Sequence, residues 1–311
     1  MCFAQCGSCC VQANKQEGKP GSCSVAENNS VHSTHMACEK IKGVWKKAFK
    51  PKNFRLIHDN PEIFVKSQWE RKGSITQAYV FYRVVVAAFF IAALLASITG
   101  AGRVIISIWK WPIYLTNWGL TLCTVQAIFC LVNVLNAKLK RQHQISVTAE
   151  GVSGTMPLEY KIYWAIHTTA ATIAVCITIS FWTAVYDPEQ HPLDAVNILS
   201  HAMNGIMMTI DLFIVGHPMR ISHLYLPLCF TVVYYVFNGI YYLAGGTDNF
   251  GHTYIYALLN WKKTGYAFLA CFLGLIFVAV VHTVLSVISS RCKHFAKPHQ
   301  IQRLDETNIP C

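Results

Sequence analysis

The sequence predicts an all-α polytopic membrane protein, a bundle of six transmembrane helices. Three observations carry that reading. Of the 311 residues, 53% are hydrophobic and only 13% charged, whereas a soluble domain carries about a quarter charged residues. The apolar residues are gathered into long runs separated by short polar loops. Six of those runs reach the ~20 residues that a helix needs to cross the hydrocarbon core at ~1.5 Å per residue. A globular alternative would need six wholly buried helices with hardly an amphipathic one among them, against the usual pattern of soluble packing.

The elements follow in chain order. Residues 1–38 are rich in Gly, Ser, Asn, Gln and Cys and are expected to form a disordered arm. Residues 39–78 form a basic, membrane-proximal segment. There Lys and Arg alternate with Trp45, Phe49, Phe54, Ile57, Phe64 and Trp69, which suits a stretch lying along lipid headgroups. Pro51 and Pro61 interrupt any long helix in it. The transmembrane domain, 79–290, is expected to hold spans at 79–101, 113–136, 161–185, 195–216, 222–245 and 265–290, followed by a tail, 291–311. No signal peptide precedes the first span, so that helix is expected to act as its own insertion signal.

Lys and Arg counts near the span ends set the expected orientation. Ten basic residues from Lys40 to Lys72 precede the first span. Lys138, Lys140, Arg141 and Lys161 flank the second loop, and Arg291, Lys293, Lys297 and Arg303 follow the last span. With six crossings these fall on one side, which places both termini in the cytosol of the plasma membrane or endoplasmic reticulum. The opposite side has Arg103, Lys110, Lys262 and Lys263, and the loop with Asp187, Glu189 and Asp194 has no basic residue. The net charge of +11 is then a topogenic collar that attracts anionic lipid. Membrane lipids are the expected partner, nucleic acid is not, and the oligomeric state is open.

Of the 13 cysteines, Cys2, Cys6, Cys9 and Cys10 open the chain, and Cys292 lies just past the last span. A reducing cytosol argues against disulfides there. Reversible S-acylation is the favoured reading for these five, beside inert thiols and zinc binding. The crowded spacing without a nearby His fits zinc poorly, and no metal or cofactor is expected.

Polar side chains inside a bilayer are costly, so each is a functional pointer beside the alternative of a helix-to-helix tie. Depth sorts them into two layers. The outer one holds Thr116, Asn117, Asn197, His201, Asn204 and Asn238. Asn197, His201 and Asn204 stand at i−4, i and i+3 on one helix face. The inner one holds His167, Asp211 and His282, a carboxylate and two imidazoles able to pair, bind a metal or relay protons. A Thr hydroxyl becomes a nucleophile when a neighbouring base takes its proton, and His is the usual base. Thr116 with His201 would supply that chemistry, with Asn117 or Asn204 donating to an oxyanion.

The strings SQWERKG, YVFYRVVVAAFF, YLTNWGLTL and YIYALLNWKK, with the His of the fourth span, resemble the rolling stone family of multispanning membrane proteins over about 54–290. The resemblance implies a role in myoblast fusion, with which the founding member is associated. A more distant resemblance is to the androgen-induced gene family, six-helix intramembrane threonine hydrolases of fatty acid esters of hydroxy fatty acids. Tyr114-Leu115-Thr116 matches their Tyr-Leu-Thr string. Ser200-His201-Ala202-Met203-Asn204 matches their Asn-His-x-Met-His string, with Ser200 and Asn204 as departures. That resemblance implies Thr116 and His201 as a catalytic pair and a fatty acid ester as substrate.

Two function classes follow: an intramembrane lipid-ester hydrolase, or a non-enzymatic membrane factor in cell–cell fusion. The outer loops are short for an adhesive ectodomain. A transporter would lead one to expect internal repeats or broken helices, and no convincing repeat is visible.

Overall fold

The computed structural model describes residues 49–70, 74–100, 108–145, 156–188 and 193–305. Among the described residues it is all-helical, with one isolated bridge, Ser67 to Val215. The helices are α1 Gln77–Thr99, α2 Leu115–Ile145, α3 Leu158–Val185, α4 over 195–212, α5 Tyr225–Leu243 and α6 Thr264–Asp305. Five of them are long and apolar enough to cross a bilayer, all except α4. The expected fourth span is helical, but shorter than 195–216 and composite: Ala195–Ile198, a π turn Leu199–Met203, then Asn204–Leu212. Its length of ~27 Å at ~1.5 Å per residue is just short of the hydrocarbon thickness. The last helix runs on past 290 to Asp305 without a break.

Each terminus has a local cause. Thr76 caps α1 by accepting from Tyr79 N–H at 3.2 Å, and Gly100 ends it at φ 70°, a left-handed conformation that glycine adopts without a Cβ penalty. Asp194 caps α4 by accepting from Asn197 N–H at 2.9 Å.

The third helix is the centre of the bundle. It touches α2, α4, α5 and α6, and 56% of its most apolar window is buried, against 22% for α5 and α6. Alanines make this close packing possible: Ala170, Ala171 and Ala174 lie in one apolar cluster with Phe90, Leu120, Cys123 and Met208. Gly205 of α4 meets α3 so closely that a Cβ would stand 2.4 Å from Thr178 Oγ1. Outward, Phe81, Leu95, Val233, Ile240, Phe268 and Phe272 are each more than half exposed. In water such a belt would be unstable, and in hydrocarbon it is the lipid-facing surface.

Residues 49–70 form a strap across one end of the bundle. Phe49, Phe54, Ile57 and Trp69 are exposed, whereas Phe64 and Val65 are buried. Phe64 instead packs against Trp164 at 5.0 Å and lies flat on His217 at 5.1 Å. Ser222 Oγ donates to Asn53 O, Tyr225 OH to Phe54 O, and Arg220 to Arg55 O and Ile57 O. These bonds fix the strap at the start of α5.

Candidate functional site

The strongest polar constellation is an ion pair that joins α1 to α4. Arg83 donates to Asp211 Oδ1 at 2.7 Å, and each side chain is 1% exposed. The remaining acceptor capacity of Asp211 is filled from three helices: Tyr82 OH at 2.9 Å, Gln126 Nε2 at 3.4 Å and His167 Nε2 at 3.2 Å. Arg83 also donates to Tyr79 OH at 2.8 Å, and its guanidinium lies over the Tyr79 and Tyr82 rings at 4.8 and 5.1 Å. The pair is neutral as a whole, which is how a charge is kept away from water at tolerable cost. Helical spacing builds the site: Tyr79, Tyr82 and Arg83 share one face of α1, and Tyr163 and His167 one face of α3.

Of the inner-layer residues, the structure brings His167 and Asp211 together and places His282 elsewhere. His282 donates from Nε2 to Arg220 O at 3.1 Å, and its Nδ1 lies 3.1 Å from Thr172 Oγ1. It therefore ties α6 to α3 and to the loop before α5. Among the described residues no group of three or more His, Cys, Asp or Glu side chains is arranged to hold a metal ion.

The sequence reading missed Arg83, Gln126 and His217. The first two had a signal: an arginine about two turns into an apolar span, and a glutamine in the middle of another, call for partners inside the bundle. His217 lies beyond α4. Its ring meets His167 edge-on at 4.6 Å, and its Nε2 is 3.2 Å from Tyr163 OH. Burial, with His167 and Lys293 nearby, pushes His217 well below the ordinary histidine range. The unfolded chain takes up that proton near pH ~6.5 and the folded protein does not. The neutral imidazole's contribution is thus complete above ~6.5 and is lost as the pH falls below it, by at most ~1.4 kcal/mol per pH unit. Melting temperature should drop from pH 7 to pH 5, and less so in His217→Phe, which keeps a ring against Phe64. Parallel curves for the two proteins would assign the titration to another group.

The outer-layer residues are spread over several joints. Asn117 donates to Trp111 O at 2.6 Å and accepts from Ser97 Oγ at 3.2 Å, pinning the start of α2 to the loop before it and to α1. Asn238 accepts from Trp261 Nε1 at 2.7 Å, joining α5 to the start of α6. Thr116 sits beside the Tyr256 phenol, which accepts Leu115 N–H at 3.0 Å. His201 lies in the π turn of α4, flat on Phe181 at 3.5 Å and 9°, and Phe181 opens a π turn of its own at the end of α3. Among the described residues no hydrogen bond joins Thr116 to His201. Asn197 is 3% exposed, and Asn204 is fully buried with neither amide atom hydrogen-bonded. Cys292 is half-buried near the end of the apolar part of α6. Cys2, Cys6, Cys9 and Cys10 lie outside the described residues.

The strings singled out in the sequence are these same joints. Ser67, Gln68 and Trp69 reach the end of α4, Tyr114 to Trp118 start α2, and Tyr256 with Trp261 fastens the loop before α6. A family model described as Protein rolling stone matches residues 37–298. The chain belongs to the rolling stone family. The rolling stone protein of Drosophila melanogaster is 29% identical over 236 residues, covering 75% of this chain and 84% of that protein. No solved structure matches. Family membership and five apolar spans together make this an integral, multi-pass membrane protein of the rolling stone type.

Proposed function

We propose that this rolling stone-type protein acts as a non-enzymatic membrane factor in cell–cell fusion of the myoblast kind, with both termini cytosolic. One observation supports it most: the strongest of its buried polar constellations, the Arg83–Asp211 pair with its added donors from α2 and α3, holds helices to one another. Thr116 likewise serves the start of α2. A frame of this kind suits a protein that acts through a fixed arrangement of its helices and strap. The test is a cell-mixing assay. Cells expressing the full chain should form multinucleate products above the level of empty-vector cells, and Thr116→Ala/His201→Ala should fuse as well as the parent. Fusion at the empty-vector level would reject the reading.

A second reading, an intramembrane hydrolase of fatty acid esters with Thr116 as nucleophile and His201 as base, is favoured by the setting of His201. It occupies a π turn, a feature frequent at functional sites, next to the buried and unbonded amide of Asn204. A fluorophosphonate probe decides between the two. Labelling that is lost in Thr116→Ala, in His201→Ala and equally in the double variant would establish a catalytic unit. We expect no labelling above that of the double variant.

A further inference from the structure

Residues 67–70 of the strap hold, at one place, both helices that carry the buried ion pair. Gln68 N–H and Ser67 Oγ each donate to Ile214 O at 2.9 Å. The Gln68 side-chain amide and the Trp69 indole both donate to Phe213 O. Those carbonyls follow Asp211 at the end of α4, where a helix leaves acceptors without intrahelical partners. Glu70 accepts Thr76 N–H at 2.7 Å, at the cap of α1, and Arg83 stands two turns further along. Beneath the strap, contacts run in an unbroken line: Phe64 on His217, His217 against His167, His167 to Asp211.

Along that line the closed bundle leaves polar atoms unsatisfied. Arg83 Nε, Gln126 Oε1, His167 Nδ1 and His217 Nδ1 are buried without a hydrogen-bond partner, and so is Asn133 Nδ2 on the Gln126 face of α2. No protein group satisfies them, and a buried polar atom needs a partner. Water admitted to the layer would satisfy them, since buried waters occupy sites with several such partners. Water is thus the ligand the layer would take, and the bonds of the strap to Phe213 and Ile214 cover this end of it.

We propose that the Arg83–Asp211 layer is a hydratable polar site and that the C-terminal part of the strap, 61–70, is its gate. Released from Phe213 and Ile214, the strap lifts Phe64 from His217 and opens the layer to water from that end, while the apolar cluster around Phe90, Leu120 and Cys123 stays closed. The opening is local because the two parts are held by different contacts.

Two native cysteines report on this. Cys130 is fully buried and packs with Tyr79 and Tyr163 inside the layer. Cys123, two turns away on α2, is fully buried in the apolar cluster. Full-length chains keeping one of these cysteines, with the others replaced by serine, are reconstituted in nanodiscs and treated with 2-aminoethyl methanethiosulfonate. Mixed-disulfide formation is followed by mass. Both thiols should be protected in the parent. The triple variant Ser67→Ala/Gln68→Ala/Trp69→Phe should react at least about tenfold faster at Cys130, with Cys123 still protected. Equal acceleration at both cysteines means global loosening and overturns the gate. So does protection of Cys130 in the triple variant, or free reaction of Cys130 in the parent.

Discussion

Arg83→Leu is expected to lose ~3–5 kcal/mol of stability, the usual cost of leaving the other half of a buried ion pair uncompensated. The carboxylate of Asp211 would stay in a layer that is 1% exposed, with only Tyr82, Gln126 and His167 to solvate it. Asp211→Leu should cost about as much for the converse reason, because it strands the guanidinium. Tyr79 OH is an acceptor already in use, and the rings of Tyr79 and Tyr82 give only partial solvation. The double variant Arg83→Met/Asp211→Leu separates charge from packing. It removes both charges and restores apolar volume, a replacement that is often neutral elsewhere. Here it should recover only part of the loss, since Gln126, His167 and Tyr82 would lose their shared acceptor at ~1 kcal/mol or more each. Melting temperature and monodisperse yield in nanodiscs measure all three. Single variants that melt within ~2 °C of the parent would show that the pair does not hold the bundle together.

Gly216→Val should expel the strap. Gly216 N–H donates to Lys66 O at 2.9 Å, and a Cβ there would stand 2.7 Å from Ile63 O and 2.9 Å from Lys66 O. Both obstacles are backbone atoms, so no side-chain rotation relieves them. The strap must move, and with it go the Ser67, Gln68 and Trp69 bonds to α4 and the Phe64 stack on His217. Overpacking of this kind costs ~1–3 kcal/mol, and the severed bonds add to it. The matched control is Gly265→Ala in the first turn of α6, where a Cβ would meet nothing within 4 Å and the change is expected to be neutral or slightly stabilising. Limited proteolysis near Asn60 distinguishes the two: rapid cleavage in Gly216→Val, parent-like resistance in Gly265→Ala. A resistant Gly216→Val would mean that strap and α4 do not pack as closely as these distances require.

The sequence by itself determined the all-helical membrane class and the order of the five long apolar helices, because a ~20-residue apolar run is a local property that no tertiary contact needs to complete. It ranked α4 with the other spans, and there length misled. The π turn at Leu199–Met203 and the closure at Leu212 depend on fits to α3 and to the strap that no periodicity encodes. The candidate site was half legible. His167 and Asp211 stood out as polar residues at similar depth, and His282 stood out equally, yet it bonds Arg220 and Thr172 on another side of α3. Depth along a helix can be counted from a sequence, whereas the azimuth at which helices meet cannot. For the same reason Thr116 and His201 shared an expected layer, while one settled beside Tyr256 and the other on Phe181. Only the tertiary structure decided that Arg83 neutralises Asp211 and that Gln68 and Trp69 terminate α4. Those pairings span 128 residues or more of chain, and what selects them is the need to pair every buried charge and helix end where water is excluded.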